Sequence, residues 1–331
     1  MQPKNLHSVH QSLLLWYKKN GRHDLPWRNA SDVYHVYLSE VMLQQTQVKR
    51  VLEEYYFPFL ARFATLEALA NAPLEEVFAL WSGLGYYRRA KNLHESVKLC
   101  GGVLPRDIAQ LLQLPGVGRY TAHAVCSFGY GDAVGVVDTN IARVLRRYFG
   151  LKEAKEAQLW EAAELFLNRT SPTHHNLSLM DLGSLVCLPK APLCHACPLE
   201  TSCRAVKEIE AYTQTQKKNY SEKNLFFGMC GDGTKVAMCH SDGGMYKDML
   251  TLPPLQESTC REEALVGSFR HSVTKYRLHI YLYRVDVREL GEVVWVDASD
   301  FASLGVSSMT KKALRLYADT MKKEKRCTKH F

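Results

Sequence analysis

With 331 residues, 46% of them hydrophobic and 23% charged, the chain has the makeup of a soluble globular protein and enough length for two domains with their own cores. Lysine and arginine exceed aspartate and glutamate by 42 to 34, and the net +8 suits a polyanionic partner. No apolar run approaches the roughly 18 residues of a membrane span, and residues 1–20 lack the order of a secretory signal, so a cytoplasmic protein with ten reduced cysteines is expected.

In chain order, residues 5–20 read as an amphipathic helix with Leu6, Val9, Leu13, Leu14 and Tyr17 on one face and Asn20-Gly21 as its stop. Leu25-Pro26-Trp27-Arg28 is a break, with Trp27 a core anchor. Ser31-Asp32 caps a helix carrying Glu40 and Gln45, and further helices are expected at 48–63, 73–82, 90–99 and 108–113. No alternating strand pattern precedes residue 220, so this half is all-α. Residues 206–223 are polar without an apolar period and read as a linker. After it the period changes. Residues 225–229 and 235–239 flank Gly231-Asp232-Gly233-Thr234 as a hairpin, and 264–270 with 276–287 flank a second one. A strand at 293–296 and a helix from Ser307/Ser308 to about residue 323 complete an α+β half.

Residues 111–147 organise the chain. Leu114-Pro115-Gly116-Val117-Gly118 separates two helical runs: Pro115 cannot continue a helix, and Gly116 and Gly118 are expected to supply positive-φ positions. A glycine turn feeding a helix N-terminus exposes amides on which a phosphate can sit. Asp138 lies between an apolar segment, 134–137, and a new helix; a simple N-cap and a carboxylate beside bound nucleic acid are both open readings. Glu40 sits among Val36, Leu38, Val41, Met42 and Leu43. It is either an exposed glutamate on a polar face or a desolvated acid with a raised pKa. Cys187, Cys194, Cys197 and Cys203 are interleaved with Pro189, Pro192 and Pro198. Zinc usually favours two CxxC pairs and this chain has one, whereas uneven spacing is at home around a [4Fe–4S] cluster.

LPGVGRYTA followed by VVDTNIARV resembles the helix-hairpin-helix DNA glycosylase superfamily. Ser39-Glu40-Val41-Met42-Leu43-Gln44-Gln45-Thr46, Trp81-Ser82-Gly83-Leu84-Gly85-Tyr86-Tyr87 and the cysteine set narrow the resemblance to MutY-type adenine DNA glycosylases. It is close over about residues 10–205 and diffuse after about 225. The resemblance implies a mainly α helix-hairpin-helix glycosylase domain at 1–205, with the iron–sulfur loop at 187–203. A linker at 206–223 and a smaller α+β Nudix-like lesion-recognition domain at 224–331 would follow.

By that resemblance the chain is a monomeric base-excision repair enzyme that flips and removes adenine mispaired with 8-oxoguanine or guanine in duplex DNA. Glu40 protonates the adenine, Asp138 stabilises or attacks the sugar cation, and Asn140 supports the site. Gly116 and Gly118 grip the backbone; Gln45 and Tyr86 wedge into the duplex, with Thr46 and Leu84 beside them. Arg28 matches an adenine-pocket residue, while Leu177 stands where members carry Glu or Gln, so one polar contact is missing. Cys187, Cys194, Cys197 and Cys203 would hold a [4Fe–4S] cluster, and Arg204 and Lys207 would meet phosphates. Tyr120 replaces the lysine with which endonuclease III relatives form a Schiff base, so base removal with little or no lyase activity is expected. A tyrosine here also resembles thymine-mismatch glycosylases, which keeps that reading as one alternative and a non-catalytic iron–sulfur DNA-binding protein as another. At the second hairpin Val273-Thr274-Lys275 replaces the usual Phe-Ser-His. Thr274 retains a hydroxyl for the lesion edge, and weaker discrimination of 8-oxoguanine from guanine is expected. Arg261-Glu262-Glu263 is a fragment of a Nudix box without its glycines, so diphosphate hydrolysis is not expected.

Overall fold

The computed structural model describes residues 5–213, 220–232, 234–241, 249–273, 276–297, 299–300 and 306–327. Contacts divide the chain into two compact units, Met1–Ala70 with Glu95–Gln216, and Asn71–His94 with Lys217–Phe331.

The first unit is helical. It contains α1 (Leu6–Asn20), α2 (Val33–Leu43), α3 (Val48–Arg50), α4 (Tyr56–Arg62) and α5 (Leu66–Ala70). The helix expected at 48–63 is one continuous path, but a π turn at Val51–Tyr55 joins α3 to α4. Pro58 follows this turn and cannot donate to the carbonyl four residues back, and the wider turn brings Tyr55 and Tyr56 both into the core. α6 (Leu74–Trp81) and the start of α7 (Arg88–Leu99) belong to the second unit. The first unit resumes with α8 (Ile108–Leu111), α9 (Arg119–Ala124), α10 (Thr139–Phe149), α11 (Glu156–Phe166) and α12 (Pro172–Leu185). Its core joins Leu13 of α1, Ile141 and Leu145 of α10, Phe166 of α11 and Leu182 of α12, all fully buried. Each such side chain contributes on the order of 2 kcal/mol over its exposed state.

The second unit is built on a four-stranded sheet ordered β4-β1-β6-β5, with strands β1 (Ser221–Met229), β4 (Pro254–Leu255), β5 (Leu265–Val273) and β6 (Tyr276–Arg284). A three-stranded sheet, β3-β2-β7, uses β2 (Lys235–His240), β3 (Leu250–Thr251) and β7 (Val294–Asp297). The second expected hairpin is present, β5 running antiparallel to β6 with Val273 opposite Tyr276. The first is confined to its turn: the Gly231–Val236 bridge, with the Asp232 N–H donating to Lys235 O at 3.3 Å and the Ala237 N–H to Cys230 O at 2.9 Å, joins the end of β1 to β2. β1 itself pairs in parallel with β6 along its whole length. The buried Phe227-Gly228-Met229 run explains this, because a strand buried on both faces belongs in the middle of a sheet. The start of β1 and a 3-10 turn, Ile209–Tyr212, occupy part of the stretch read as linker. Ser307 Oγ accepts the Thr310 N–H at 3.0 Å and caps α13 (Ser308–Cys327), whose Met309, Leu314 and Tyr317 pack with Leu278, Ile280 and Leu282 of β6. Thr274 and Lys275 lie outside the described residues.

Candidate active site

α2 buries eight side chains around its circumference, Tyr34 and every residue from Val36 to Met42. A helix enclosed on all sides has no solvent face to offer, so Glu40 is taken into the interior with 7% exposure. Its Oε2 accepts the Tyr120 hydroxyl at 2.5 Å. Burial pushes the Glu40 carboxyl up to about 7; the Tyr120 hydrogen bond opposes that rise, the Asp138 charge adds to it and the Arg28 charge opposes it. Burial, reinforced by Glu40 and Asp138, lifts the Tyr120 phenol far above its ordinary value, so it stays a donor.

Asp138 bears out the capping reading of its sequence and lines the cavity described below as well. It is the N-cap of α10, with Oδ1 accepting the Ile141 N–H at 2.6 Å, and its Oδ2 accepts Asn140 Nδ2 at 2.9 Å. Burial pushes its carboxyl up, and the Ile141 and Asn140 hydrogen bonds with the Arg143 charge pull back toward the ionised form. Arg143 extends the chain of contacts, donating to Asn140 Oδ1 at 3.0 Å, to Gly183 O at 2.5 Å and to the Cys187 carbonyl at 2.7 Å. α12 can approach this closely because residue 183 is glycine: a Cβ there would lie 2.7 Å from Asn140 Cβ and 2.9 Å from its carbonyl oxygen.

A cavity of about 370 Å³ opens over Glu40, Tyr120, Asp138 and Asn140, and Trp27, Arg28, Thr46, Leu177 and Met180 also line it. The mix of apolar walls and a few polar groups suits one planar base. Arg28 is there, but its guanidinium is engaged bidentately by Asp181, Nη1 to Oδ2 at 2.6 Å and Nη2 to Oδ1 at 2.7 Å. Asp181 was not among the candidate residues. A lone acid in the apolar stretch Leu179-Met180-Asp181-Leu182 was the available signal.

Gly116 adopts φ 75°, as expected of a tight turn between α8 and α9. Gly118 does not: at φ −94° and ψ 178° it is extended, and an added Cβ would meet nothing within 4 Å. Its missing side chain therefore leaves room on the outside of the turn rather than permitting a left-handed bend. Next to it, the Arg119 guanidinium lies 4.2 Å from the Trp160 ring centroid. Gln45, expected within α2, falls just past its end on an exposed turn with φ 56°. Tyr86, in the second unit, is 39% exposed with φ 51°, whereas the neighbouring Leu84 is buried. Such backbone costs a non-glycine residue about 1–3 kcal/mol and collects at functional positions.

Cys187, Cys194, Cys197 and Cys203 are free and half-buried. The thiols of Cys194, Cys197 and Cys203 are raised by burial first and then by the electrostatic influence of the other cysteines, Cys197 to about 12. Among the described residues no group of three or more His, Cys, Asp or Glu side chains is assembled as a metal site. The donor chemistry nonetheless fits a thiolate-ligated cluster. Arg147, 1% exposed, has no carboxylate partner among the described residues; it donates to Cys187 Sγ at 3.3 Å, to Leu188 O at 2.7 Å and to Pro189 O at 2.9 Å. A buried cation aimed at thiols calls for negative charge there.

Residues 38–168 match the family described as HhH-GPD superfamily base excision DNA repair protein. The human adenine DNA glycosylase is 45% identical over 261 residues, 73% of this chain and 45% of its own length. The adenine DNA glycosylase of Buchnera aphidicola subsp. Schizaphis graminum is 30% identical over 342 residues, 93% of this chain and 98% of its own. Among solved structures, a thermostable thymine-DNA glycosylase aligns with a TM-score of 0.58 at 29% identity, covering 61% of this chain and 97% of that one. Fold and site together define the class of helix-hairpin-helix base-excision DNA repair proteins. Within it, the chain belongs to the adenine DNA glycosylase family, spanning nearly all of the Buchnera relative and under half of the human one.

Proposed function

We propose that the chain removes adenine from duplex DNA where it stands opposite 8-oxoguanine or guanine, acting as a monomer and leaving an abasic site. The observation that carries this reading is Glu40, a buried acid with a carboxyl near pH 7 in the wall of a base-sized cavity that also holds Asp138. Glu40 donates its proton to the extruded adenine. The bond between sugar carbon and base nitrogen then breaks, and its electron pair leaves with the neutral base. Asp138, held by Ile141 and Asn140, stabilises or captures the positive sugar carbon, and water completes the abasic product. Tyr120 is a phenol and forms no imine, so the strand is not cut through a Schiff base.

Gln45 and Tyr86 act as wedges, a role supported by their exposed, strained backbone. The turn at Gly116 and Gly118, with Arg204 and Lys207, grips phosphates, and Thr274 reads the lesion's edge. Cys187, Cys194, Cys197 and Cys203 would hold a [4Fe–4S] cluster, beside which Arg147 supplies compensating charge. When bound, such a cluster fixes the loop that precedes Arg204.

A second reading, thymine removal from T:G pairs, draws on Tyr120 and on the likeness to a thymine-DNA glycosylase. A buried proton donor favours adenine, because thymine lacks a basic imidazole nitrogen to receive the proton. Incubation with A:8-oxoG, A:G, T:G and A:T duplexes followed by alkali tests both. Cleavage at the first two supports adenine excision, cleavage at T:G alone replaces it, and binding without any cleavage makes the chain a non-catalytic DNA-binding protein. No helix among the described residues is long and apolar enough to cross a membrane.

A further inference from the structure

Asp138 is delivered by an irregular segment, residues 133–137, that joins no sheet among the described residues. Side chains take the place of strand partners. Arg169 donates to Ala133 O at 3.2 Å, Asn176 Nδ2 to Val134 O at 2.9 Å, and His123 Nδ1 to Gly135 O at 2.9 Å. In the other direction, Glu164 Oε1 accepts the Gly135 N–H at 2.6 Å and Asn176 Oδ1 accepts that of Val136 at 3.4 Å. Asn176, 2% exposed, also donates to Ser127 Oγ at 2.9 Å. Its carbonyl and amide groups are thus both committed. Helix α11 presses on the same segment, for a Cβ on Gly135 would lie 3.1 Å from both Ala163 Cβ and Glu164 Oε1.

We propose that Asn176 and Glu164 are positioning residues for Asp138, setting how far its carboxylate reaches into the cavity by fixing the backbone just before it. Neither acts on the substrate. The proposal rests on the reading that Asp138 works at the sugar carbon, where a misplacement of about 1 Å costs on the order of 10²-fold in rate.

The test uses the full chain, wild type and the variants Glu164→Ala, Glu164→Gln and Asn176→Ala. Single-turnover base release is measured on the mispair that wild type cleaves best. Affinity is measured on the same duplex with a 2′-fluoro target sugar, which resists cleavage. Glu164→Ala is expected to slow release roughly tenfold with affinity changed by less than about twofold, and Glu164→Gln, which keeps the acceptor oxygen, to recover the rate. Asn176→Ala is expected to slow release at least as much. The proposal is overturned if Glu164→Ala keeps the wild-type rate, loses rate and affinity together, or is not rescued by Gln. Should Asn176→Ala fail to fold, the half-exposed Glu164 pair decides alone. Absence of cleavage by wild type would overturn the proposed function itself; wild-type cleavage with an unaffected Glu164→Ala would overturn only the positioning role.

Discussion

The carboxylate of Asp181, with no solvent exposure, is clasped by Arg28 through two parallel hydrogen bonds, and Arg22 closes on it from another side at 2.6 Å. Burial pushes the Asp181 carboxyl up, but the hydrogen bonds and charge of Arg28, joined by Arg22, outweigh it and hold the group below the usual carboxylate range. Its stabilisation is therefore present above the unfolded pKa and is lost as pH falls through the lowered folded value. Asp181→Ala leaves a buried guanidinium without its partner and should cost about 3–5 kcal/mol in urea unfolding. The double variant Arg28→Met with Asp181→Leu should cost far less, and equal losses would show that the pair is not acting as a unit.

Glu40 carries the opposite sign. Its folded pKa of about 7 exceeds the ordinary 4.5, so single-turnover excision should fall as pH rises through about 7. Glu40→Gln should abolish excision at every pH. It should also be the more stable protein above pH 7, by about 3 kcal/mol, with the advantage fading below about pH 4.5. A rate flat from pH 6 to 9 would remove Glu40 as the acid.

The Tyr120 hydroxyl holds the Glu40 carboxyl down from an even higher value. Tyr120→Phe should therefore move the alkaline limb of the rate profile to higher pH. An unmoved limb would mean that the 2.5 Å contact does not tune the acid.

Asparagine caps helices about as well as aspartate, so Asp138→Asn should keep α10 and the fold. Base release should drop by on the order of 10²-fold or more while affinity for mispaired duplex is retained. Retained turnover would contradict a charged carboxylate at the sugar.

Cys197→Ser should lower iron from about four atoms per chain and bleach the visible absorption. Weaker, less salt-dependent DNA binding should accompany the loss, since the loop leads into Arg204. Zinc found in place of iron by elemental analysis would refute the cluster.

Much of the site was legible because its chemistry is carried by unusual residues in short runs. Glu40 amid apolar neighbours and Asp138 between an apolar segment and a helix could each be picked out, although neither stretch alone chose between the ordinary and catalytic readings. Packing adds what the stretches lack: α2 is enclosed all round, so Glu40 is buried, and Asp138 both caps α10 and lines the cavity. Asp181 and Arg143 stayed hidden because defining partners lie far along the chain, Arg28 for Asp181 at 153 residues and the Gly183 and Cys187 carbonyls for Arg143 at 40 and 44. Gly118 misled because glycine marks either a positive φ or an absent side chain, and only the backbone angle tells which. Likewise β1 and β2 carried a sound turn between them, but local pattern does not name a strand's partner, and β1 found its own in β6, with Ser221 beside Tyr276.

The absent methyl at position 183 has a reach that its location conceals. That hydrogen is the gauge between two helices, one bearing Asn140 and the other running into the cysteine loop. Alanine there would shim them apart and unseat Asn140 without meeting DNA at all. Harmful variants in this fold should therefore be sought along helix seams as well as along the strand the enzyme reads.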